Sequence, residues 1–317
     1  MSHKLDFEKP IFELEEKIQG LRQFAEDNDL DLSAEVRKLE DKVSELRRET
    51  FSGLSAWDCV RLARHPGRPT TLDFIDGIFD DFMELKGDRA YSDDPAMVGG
   101  LALLDGVPVT VLGHQKGRDT LENIRRNFGM PHPEGYRKAL RLMQQAEKFG
   151  RPVVTFIDTA GAYCGLGAEE RGQGHAIASN LIAMAGLKVP VISVVIGEGG
   201  SGGALGIGVA DRVAMLSSAV YSVISPEGLS SILWKDATKA SEAAAVMKMT
   251  ARDIEALGVI DAIIEEPLGG AHRHQAETVE AAGKWIKQTL GELRAMPLET
   301  LLEARYDKYR GMGQYEG

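Results

Sequence analysis

The chain has 317 residues, of which 43% are hydrophobic and 27% are charged, a composition typical of a folded rather than a disordered protein. It carries 37 Lys and Arg against 48 Asp and Glu, so its formal net charge is −11 and a nucleic-acid binder, whose surface is basic, is disfavoured. The two cysteines, Cys59 and Cys164, are too few and too far apart for a disulfide framework or a cysteine zinc site. Because the most apolar stretch, 189–196, is too short to cross a bilayer and no signal peptide is evident, we expect a cytoplasmic protein that contacts no membrane.

The first fifty residues have the spacing of two helices. Apolar side chains recur at intervals of three and four from Ile11 to Leu21 and again from Val36 to Leu46. Pro10 suits the start of the first helix and Ser33 that of the second. The pattern predicts an antiparallel helical hairpin that serves as a packing or dimerisation arm.

Beyond Pro69 the sequence predicts strands that alternate with helices. In chain order we expect a helix over 74–82, a β-hairpin of strands 98–104 and 107–112, a helix over 134–149, a strand over 152–157, a helix over 168–186, a strand over 190–196, a short helix from Gly203, strands over 212–216 and 220–224, a helix opened by a Thr250 and Asp253 capping box, a strand over 259–264 and a C-terminal helix from about 275. Such alternation predicts an α/β fold with a largely parallel sheet covered by helices.

The densest feature is the glycine run 197–203, which lies between an apolar strand and a helix of small residues. Its glycines match the G-x-G-x-x-G of dinucleotide-binding proteins, but the acidic residue expected about twenty positions later is missing. A P-loop is excluded because no Lys-Ser or Lys-Thr pair follows the glycines.

Two other interpretations of the run stay open. In the first, Ser201 is the nucleophile of a G-x-S-x-G motif, with Asp261 and His272 following in the order of an α/β-hydrolase, although no upstream segment completes an oxyanion hole. In the second, the backbone N–H groups of Gly202 and Gly203 form an oxyanion hole at a helix N-terminus, where the absence of Cβ atoms admits a planar acyl or ureido group. The glycines also suit tight packing of strand against helix.

A second glycine-rich loop, 158–167, follows the preceding strand. Parallel strands end at one edge of a sheet, so the two loops are expected to face one cleft, with Tyr163 either lining it or in the core. Basic side chains are also concentrated ahead of both loops, at Lys116, Arg118, Arg125, Arg126, Arg137, Lys138 and Arg141. They suit either a solvated surface or contact with a phosphate or an acidic carrier.

At these residues the chain resembles the carboxyltransferase α subunit of bacterial multisubunit acetyl-CoA carboxylase. The similar segments are LDFEKP (5–10), GDRA (87–90), RRNFGM (125–130), PEGYRKALR (133–141), IGEGGSGGAL (196–205), YSVISPEG (221–228) and EPLGGAHR (266–273). The resemblance implies a crotonase-like (ClpP/crotonase) fold of stacked ββα units, with an N-terminal helical hairpin and a C-terminal helical region. The implied divisions are a hairpin and linker over 1–69, a carboxyltransferase domain over 70–295 and a helical tail over 296–317.

The resemblance also implies the reaction and its participants. The family transfers the carboxyl group of N-carboxybiotin, borne on the biotin carboxyl carrier protein, to acetyl-CoA, and so makes malonyl-CoA for fatty acid synthesis. The implied assembly is an α₂β₂ heterotetramer whose β subunit bears a zinc ribbon, so that this chain holds no metal. ATP is used only by the biotin carboxylase partner.

Site residues follow from the same resemblance. Gly202 and Gly203 are expected to donate backbone N–H groups to the ureido oxygen of biotin. The carboxybiotin contacts are expected at Gly199, Gly200, Gly161, Tyr163 and Gly165, and a phosphate or carrier contact at Arg125 and Arg126. A stand-alone hydratase of this fold ranks lower, because it needs positioned carboxylates and only Glu170 and Glu198 lie near the glycine loops.

Overall fold

The computed structural model describes residues 5–313, and a mixed eight-stranded sheet lies at its centre. The strands are β1 Asp80–Glu84, β2 Met97–Leu104, β3 Val107–His114, β4 Val153–Thr159, β5 Val191–Gly200, β6 Arg212–Leu216, β7 Val220–Ser222 and β8 Ala262–Ile264. Their order is β1-β2-β3-β4-β5-β6-β8, and β7 pairs with the far end of β5. The first three strands form an antiparallel meander and the later pairings are parallel, as the alternation predicted.

The helices surround this sheet. They are α1 Lys9–Asp27, α2 Ser33–Ser52, α3 Ala56–Ala63, α4 Thr71–Ile78, α5 Thr120–Arg125, α6 Pro133–Lys148, α7 Leu166–Glu170, α8 Gln173–Gly186, α9 Ser201–Leu205, α10 Pro226–Trp234, α11 Ala240–Val246, α12 Ala251–Ala256, α13 Gln275–Arg294 and α14 Leu298–Arg310. Helix α6 packs against α8, and α4 against α13. Strands β4 and β5 are buried along their whole length, which explains their continuous runs of Val and Ile.

The predicted hairpin is present as α1 and α2. Its apolar stripe forms a small cluster around Ile11, Ile18, Val36 and Val43, separate from the main core. The carboxylate of Glu8 joins the hairpin to the body, because one of its oxygens lies 3.1 Å from both His272 and Arg273.

Several predicted boundaries were wrong. The helix expected over 74–82 ends at Ile78, where Phe79 turns extended to pack edge-on against Phe156, and the next residues form β1 against β2. The helix expected over 168–186 is two helices, because Gly172 takes a left-handed conformation with φ of 80°. The strand expected to end at 196 continues to Gly200, and β7 ends at Ser222. The capping box of Thr250 and Asp253 is confirmed.

The last helix is tied to the sheet through a buried ion pair. Both carboxylate oxygens of Asp211 accept hydrogen bonds from the Arg305 guanidinium at 2.8 Å. The same guanidinium donates to three backbone carbonyls, those of Met184, Leu187 and Val189. Both side chains are at most 2% exposed. Within residues 5–313 no helix combines the length and apolar character that crossing a bilayer requires.

Candidate active site

The length of β5 creates the candidate site. Its first half pairs with β6, but its last three residues pair with β7, so Glu198 to Gly200 project beyond the neighbouring strand. Thr159 at the end of β4 lies opposite Gly199, which brings the two glycine loops to the same edge of the sheet. The prediction that both loops face one cleft is confirmed, because Gly161 and Gly203 line the same cavity of about 560 Å³.

The two loops touch through their backbones. A Cβ atom on Gly203 would overlap backbone atoms of Gly161 and Ala162, and one on Gly200 would overlap the carbonyl of Ala160. At Gly202, by contrast, a Cβ would meet only the side chain of Ile177, at 3.9 Å. Gly203 is therefore required for packing, whereas the face of Gly202 is open to the cleft.

The amides of these glycines belong to the first turn of α9. First-turn N–H groups have no acceptor inside their own helix, so they are available to a ligand. Because α9 has only five residues, its effect on a bound oxyanion comes from the local amides rather than from a long helix dipole. Apolar side chains of Ile177, Val223 and Ile224 form the other walls of the cleft.

A chain of ion pairs lies behind the glycine loop. Lys116 Nζ is 2.7 Å from Asp158 Oδ1 and 3.2 Å from Glu198 Oε2, and the other oxygen of Glu198 lies 2.7 Å from Arg64 Nε. Arg64 then pairs with Glu227 at 2.5 Å. The Glu198 backbone N–H also donates to Asp158 Oδ1 at 3.0 Å, which fastens the end of β5 to that of β4.

The charges of this network are mutually stabilising. Burial by itself would raise the pKa of Glu198, but Lys116 and Arg64 outweigh burial and hold that pKa below its usual value. Burial by itself would lower the pKa of Lys116, but Asp158 and Glu198 outweigh it and raise that pKa. Among the described residues that line the cleft, Arg64 and Glu227 are the charged ones, and they neutralise each other. The cleft thus offers hydrogen-bond donors rather than an acid–base pair.

The other predicted site residues lie around the cleft rather than in its walls. Gly199 on β5 packs against the ring of Tyr221 on the neighbouring strand β7. The ring of Tyr163 leans on His132, with centroids 4.4 Å apart, and Gly165 packs against that tyrosine. As far as the described residues go, the cavity lining includes neither Tyr163 nor Gly165.

Most of the basic segment is engaged inside the protein. Arg126 is buried and donates to Glu122 at 2.8 Å and to the carbonyl of Pro95 at 3.0 Å, whereas Arg125 is exposed, 3.8 Å from Glu122. The remaining members pair with carboxylates or backbone carbonyls: Lys116, Arg118, Arg137, Lys138 and Arg141. Only Arg125 in this segment combines exposure with a long ion-pair distance.

The serine hydrolase alternative gains no support. Ser201 is exposed and has the positive φ of 54° that a strand-to-helix turn imposes. Asp261, however, accepts hydrogen bonds from the backbone of Val213 and from Lys308, and His272 binds Glu8 at 3.1 Å. Asp261 and His272 are thus committed to separate partners and do not form a triad with Ser201.

Sequence reasoning missed the ion-pair network and the wall formed by 223–227. Glu198, a lone carboxylate inside the glycine run, was the available signal for the network. The segment 221–228 was noticed only as a similar motif, although it supplies Val223 and Glu227 to the cleft. Its place beside the glycine loop depends on the pairing of β7 with the end of β5.

The class that the architecture defines is the crotonase-like fold, which this chain shares with solved structures. A Pseudomonas malonate decarboxylase hetero-tetramer in complex with coenzyme A matches with a TM-score of 0.59 at 16% identity, covering 74% of this chain and 91% of that one. A transcarboxylase 12S structure with methylmalonyl-coenzyme A bound matches with a TM-score of 0.54 at 23% identity, covering 67% of this chain and 41% of that one. These likenesses establish the fold.

Sequence comparison then gives the family. Residues 4–313 match the family described as acetyl co-enzyme A carboxylase carboxyltransferase-like. The acetyl-coenzyme A carboxylase carboxyl transferase subunit alpha of Geobacillus kaustophilus is 58% identical over 99% of this chain and 97% of its own length, and that of Bacillus cereus is 58% identical over 98% and 96%. The chain belongs to the acetyl-CoA carboxylase carboxyltransferase α-subunit family, and it is therefore a subunit of a carboxyltransferase.

Proposed function

We propose that this chain is the half of a carboxyltransferase that receives N-carboxybiotin and releases its carboxyl group for transfer to acetyl-CoA, giving malonyl-CoA. The observation that carries the proposal is the cleft, in which Gly202 and Gly203, both in the first turn of α9, line an open space whose walls are largely apolar. Family membership supplies the reaction class. Biotin arrives in trans on a carrier protein and coenzyme A enters as the thioester substrate.

The cleft suits a planar ureido ring. The open face of Gly202 leaves room for a ring to approach the backbone, and Ile177 and Val223 offer apolar surfaces for it to lie between. When biotin loses the carboxyl group, negative charge develops on its ureido oxygen. Fixed N–H donors at Gly202 and Gly203 stabilise that charge without any proton transfer from this chain.

The ion-pair network gives these donors a rigid base. Asp158 holds both Lys116 and the backbone of Glu198, so the ends of β4 and β5 keep a constant separation. A donor contributes most to a transition state when it does not have to move toward the charge. The role of Lys116 and Glu198 in this proposal is to hold the backbone, not to exchange protons.

A partner subunit is expected to complete the site. Apolar side chains are exposed at the cleft: Val223, which lines it, is 81% exposed, and Leu205, two residues after Gly203, is 42% exposed. Such a surface beside a functional cleft is typical of a protein interface. We assign it to a zinc-ribbon β subunit in an α₂β₂ assembly, which holds the acyl-CoA, with the biotin carboxyl carrier protein and an ATP-using biotin carboxylase as further partners.

We assign the contact with the carrier or a phosphate to Arg125, which is exposed and 3.8 Å from the carboxylate of Glu122, while Arg126 supports the loop from inside. The chain itself is proposed to contribute no metal. Among residues 5–313 no group of three or more His, Cys, Asp or Glu is arranged to hold one.

The test is reconstitution with a β subunit, followed by an assay of biotin-dependent decarboxylation of malonyl-CoA. The complex should be active and the isolated chain inactive. Ser201→Ala in the complex should keep most of the activity, because every amide stays in place. Turnover by the pure chain would refute a site shared between subunits, and labelling of Ser201 by a fluorophosphonate would revive the hydrolase.

A further inference from the structure

The short helix α9 ends with carbonyl groups that receive no hydrogen bond from a following helical turn. The Ile207 N–H bonds to Ala204, one residue later than a regular α-helix would require, which leaves the carbonyl of Gly203 free of the helix. Side chains supply the missing donors. The Tyr136 hydroxyl donates to the Gly203 carbonyl at 3.1 Å, and the Asn180 amide donates to the Gly206 carbonyl at 2.8 Å. The end of this helix is therefore held by side chains from other elements.

These donors come from the rigid interior. Tyr136 belongs to α6 and Asn180 to α8, and both are fully buried. A third donor, Thr155 on β4, bonds to the Ile207 carbonyl at 2.8 Å. Three separate elements thus fix three backbone carbonyls, those of Gly203, Gly206 and Ile207, within one stretch of five residues.

Tyr136 is the donor nearest to the proposed chemistry. Its partner, Gly203, is also one of the two glycines that line the cleft and whose amides serve the proposed chemistry. Burial raises the pKa of Tyr136 well above its usual value, so the hydroxyl keeps its proton and remains a donor. A Cβ at Gly206 would overlap the tyrosine ring, so ring and helix are packed as closely as the chain allows.

We propose that Tyr136 is a positioning residue for carboxyl transfer: by holding the Gly203 carbonyl it fixes the peptide group between Gly203 and Ala204, and so limits how far the preceding Gly202 and Gly203 amides can turn away from the cleft. The inference rests on the proposed function. The physical reason is that hydrogen-bond donors stabilise a developing charge most when their orientation is set in advance, and a five-residue helix cannot set it alone.

The experiment compares Tyr136→Phe with Tyr309→Phe in the complex with the β subunit. Tyr136→Phe keeps the ring against Gly206 and removes only the donor. Tyr309→Phe is the matched control, because that hydroxyl also bonds to backbone, at Ala210, but away from the glycine loop. We expect kcat for biotin-dependent malonyl-CoA decarboxylation to fall about tenfold in Tyr136→Phe, with KM for malonyl-CoA unchanged, and to stay at the wild-type value in the control.

A second measurement does not depend on activity. In the isolated chain labelled with ¹⁵N-glycine, the amide resonances of Gly202 and Gly203 should move in Tyr136→Phe and stay in place in Tyr309→Phe. If Tyr136→Phe does not fold, Asn180→Leu, which removes the donor to Gly206, should move the same resonances. An unchanged kcat, an equal loss in both variants or unmoved glycine resonances would overturn the inference. A wild-type complex without biotin-dependent activity would instead overturn the proposed function, and the resonances would still test the positioning.

Discussion

At the scale of single residues, Gly202 and Gly203 look alike in sequence but have different structural roles. Gly203 touches the backbone of the neighbouring loop, so any side chain there disturbs folding as well as chemistry. Gly202 has free space on its cleft side and a helical conformation that any residue can adopt. A substitution at Gly202 can therefore separate catalysis from packing, whereas one at Gly203 cannot.

We expect Gly202→Ala to fold and to lose activity. The methyl group occupies the space proposed for the ureido ring and keeps the ring away from the amides, so activity of the complex should fall by at least about 100-fold, as much as removal of one oxyanion donor would cost. The free energy of unfolding should rise by about 0.5–1 kcal/mol, because alanine restricts the unfolded chain more than glycine does.

Gly174→Ala is the matched control, since Gly174 is an exposed glycine in α8 that also has free space around its Cβ position. It should gain a similar stability and keep full activity. Full activity in Gly202→Ala, measured by the decarboxylation assay, would contradict the placement of the substrate over this residue.

His114 predicts a dependence of stability on pH. The ring is fully buried, and burial lowers the pKa of His114 from 6.5 to about 3. The backbone of Gly203 raises that pKa, but by less than burial lowers it. Between those two values the unfolded chain binds a proton that the folded chain refuses. The contribution of neutral His114 to the free energy of unfolding is therefore fully present above pH 6.5. As the pH falls below 6.5 it is lost, by up to about 1.4 kcal/mol per pH unit.

Urea unfolding between pH 5 and 6.5 measures this slope above the range where the carboxylates titrate. His114→Gln, which cannot be protonated, should flatten the slope, and His175→Gln, at an exposed position, should leave it as it is. A slope that is the same in His114→Gln and wild type would show that another group carries the pH dependence.

At the scale of elements, one buried side chain, that of Arg305, anchors α14 to the body of the protein. Arg305 satisfies both oxygens of Asp211 and three backbone carbonyls in a buried site. Removing one partner of a buried ion pair leaves the other charge without compensation, which is costlier than losing an exposed pair. This arrangement makes the C-terminal helix part of the folded unit and not a loose tail.

Arg305→Met should lower the free energy of unfolding by about 3–5 kcal/mol, as measured by urea denaturation. Arg310→Met changes the same residue type at an exposed position of α14 and should have almost no effect. Equal effects of the two substitutions would mean that α14 is held by its apolar contacts instead.

At the scale of the whole molecule, the N-terminal hairpin and the body meet through the segments LDFEKP and EPLGGAHR, which are more than 250 residues apart in sequence. The junction is buried and polar: the side chain of Glu8 is 1% exposed and that of His272 is 4% exposed. The pKa of Glu8 lies below its usual value, because His272 and Arg273 outweigh the effect of burial. Docking of the hairpin therefore depends on Glu8 being charged.

We expect Glu8→Ala to loosen the hairpin while the sheet stays intact. Hydrogen exchange of amides in α1 and α2 should accelerate by at least about tenfold, and that of amides in β4 and β5 should not change. Glu13→Ala, at an exposed position of α1, is the control and should leave both rates as they are. Unchanged exchange in α1 and α2 of Glu8→Ala would place the docking energy elsewhere.

The sequence by itself determined the alternation of helices and strands, the hairpin and the glycine loops, because apolar periodicity, capping residues and glycine density are local properties. Its similar segments also pointed to the family. The apolar spacing continues past Ile78 although the helix does not, so the sequence placed the end of α4 too late. Nor could it distinguish Gly202 from Gly203, because that difference depends on a loop about 40 residues away.

Only the tertiary structure decided which charges meet. Lys116, Asp158 and Glu198 come from three strand ends that parallel pairing places side by side, and most of the basic segment turned inward to such partners. The carbonyls of Gly203, Gly206 and Ile207, in α9 and just after it, likewise accept hydrogen bonds from side chains on α6, α8 and β4. The physical reason is that a buried polar group must find a partner in space, and partners far apart in sequence become neighbours only when the sheet has formed.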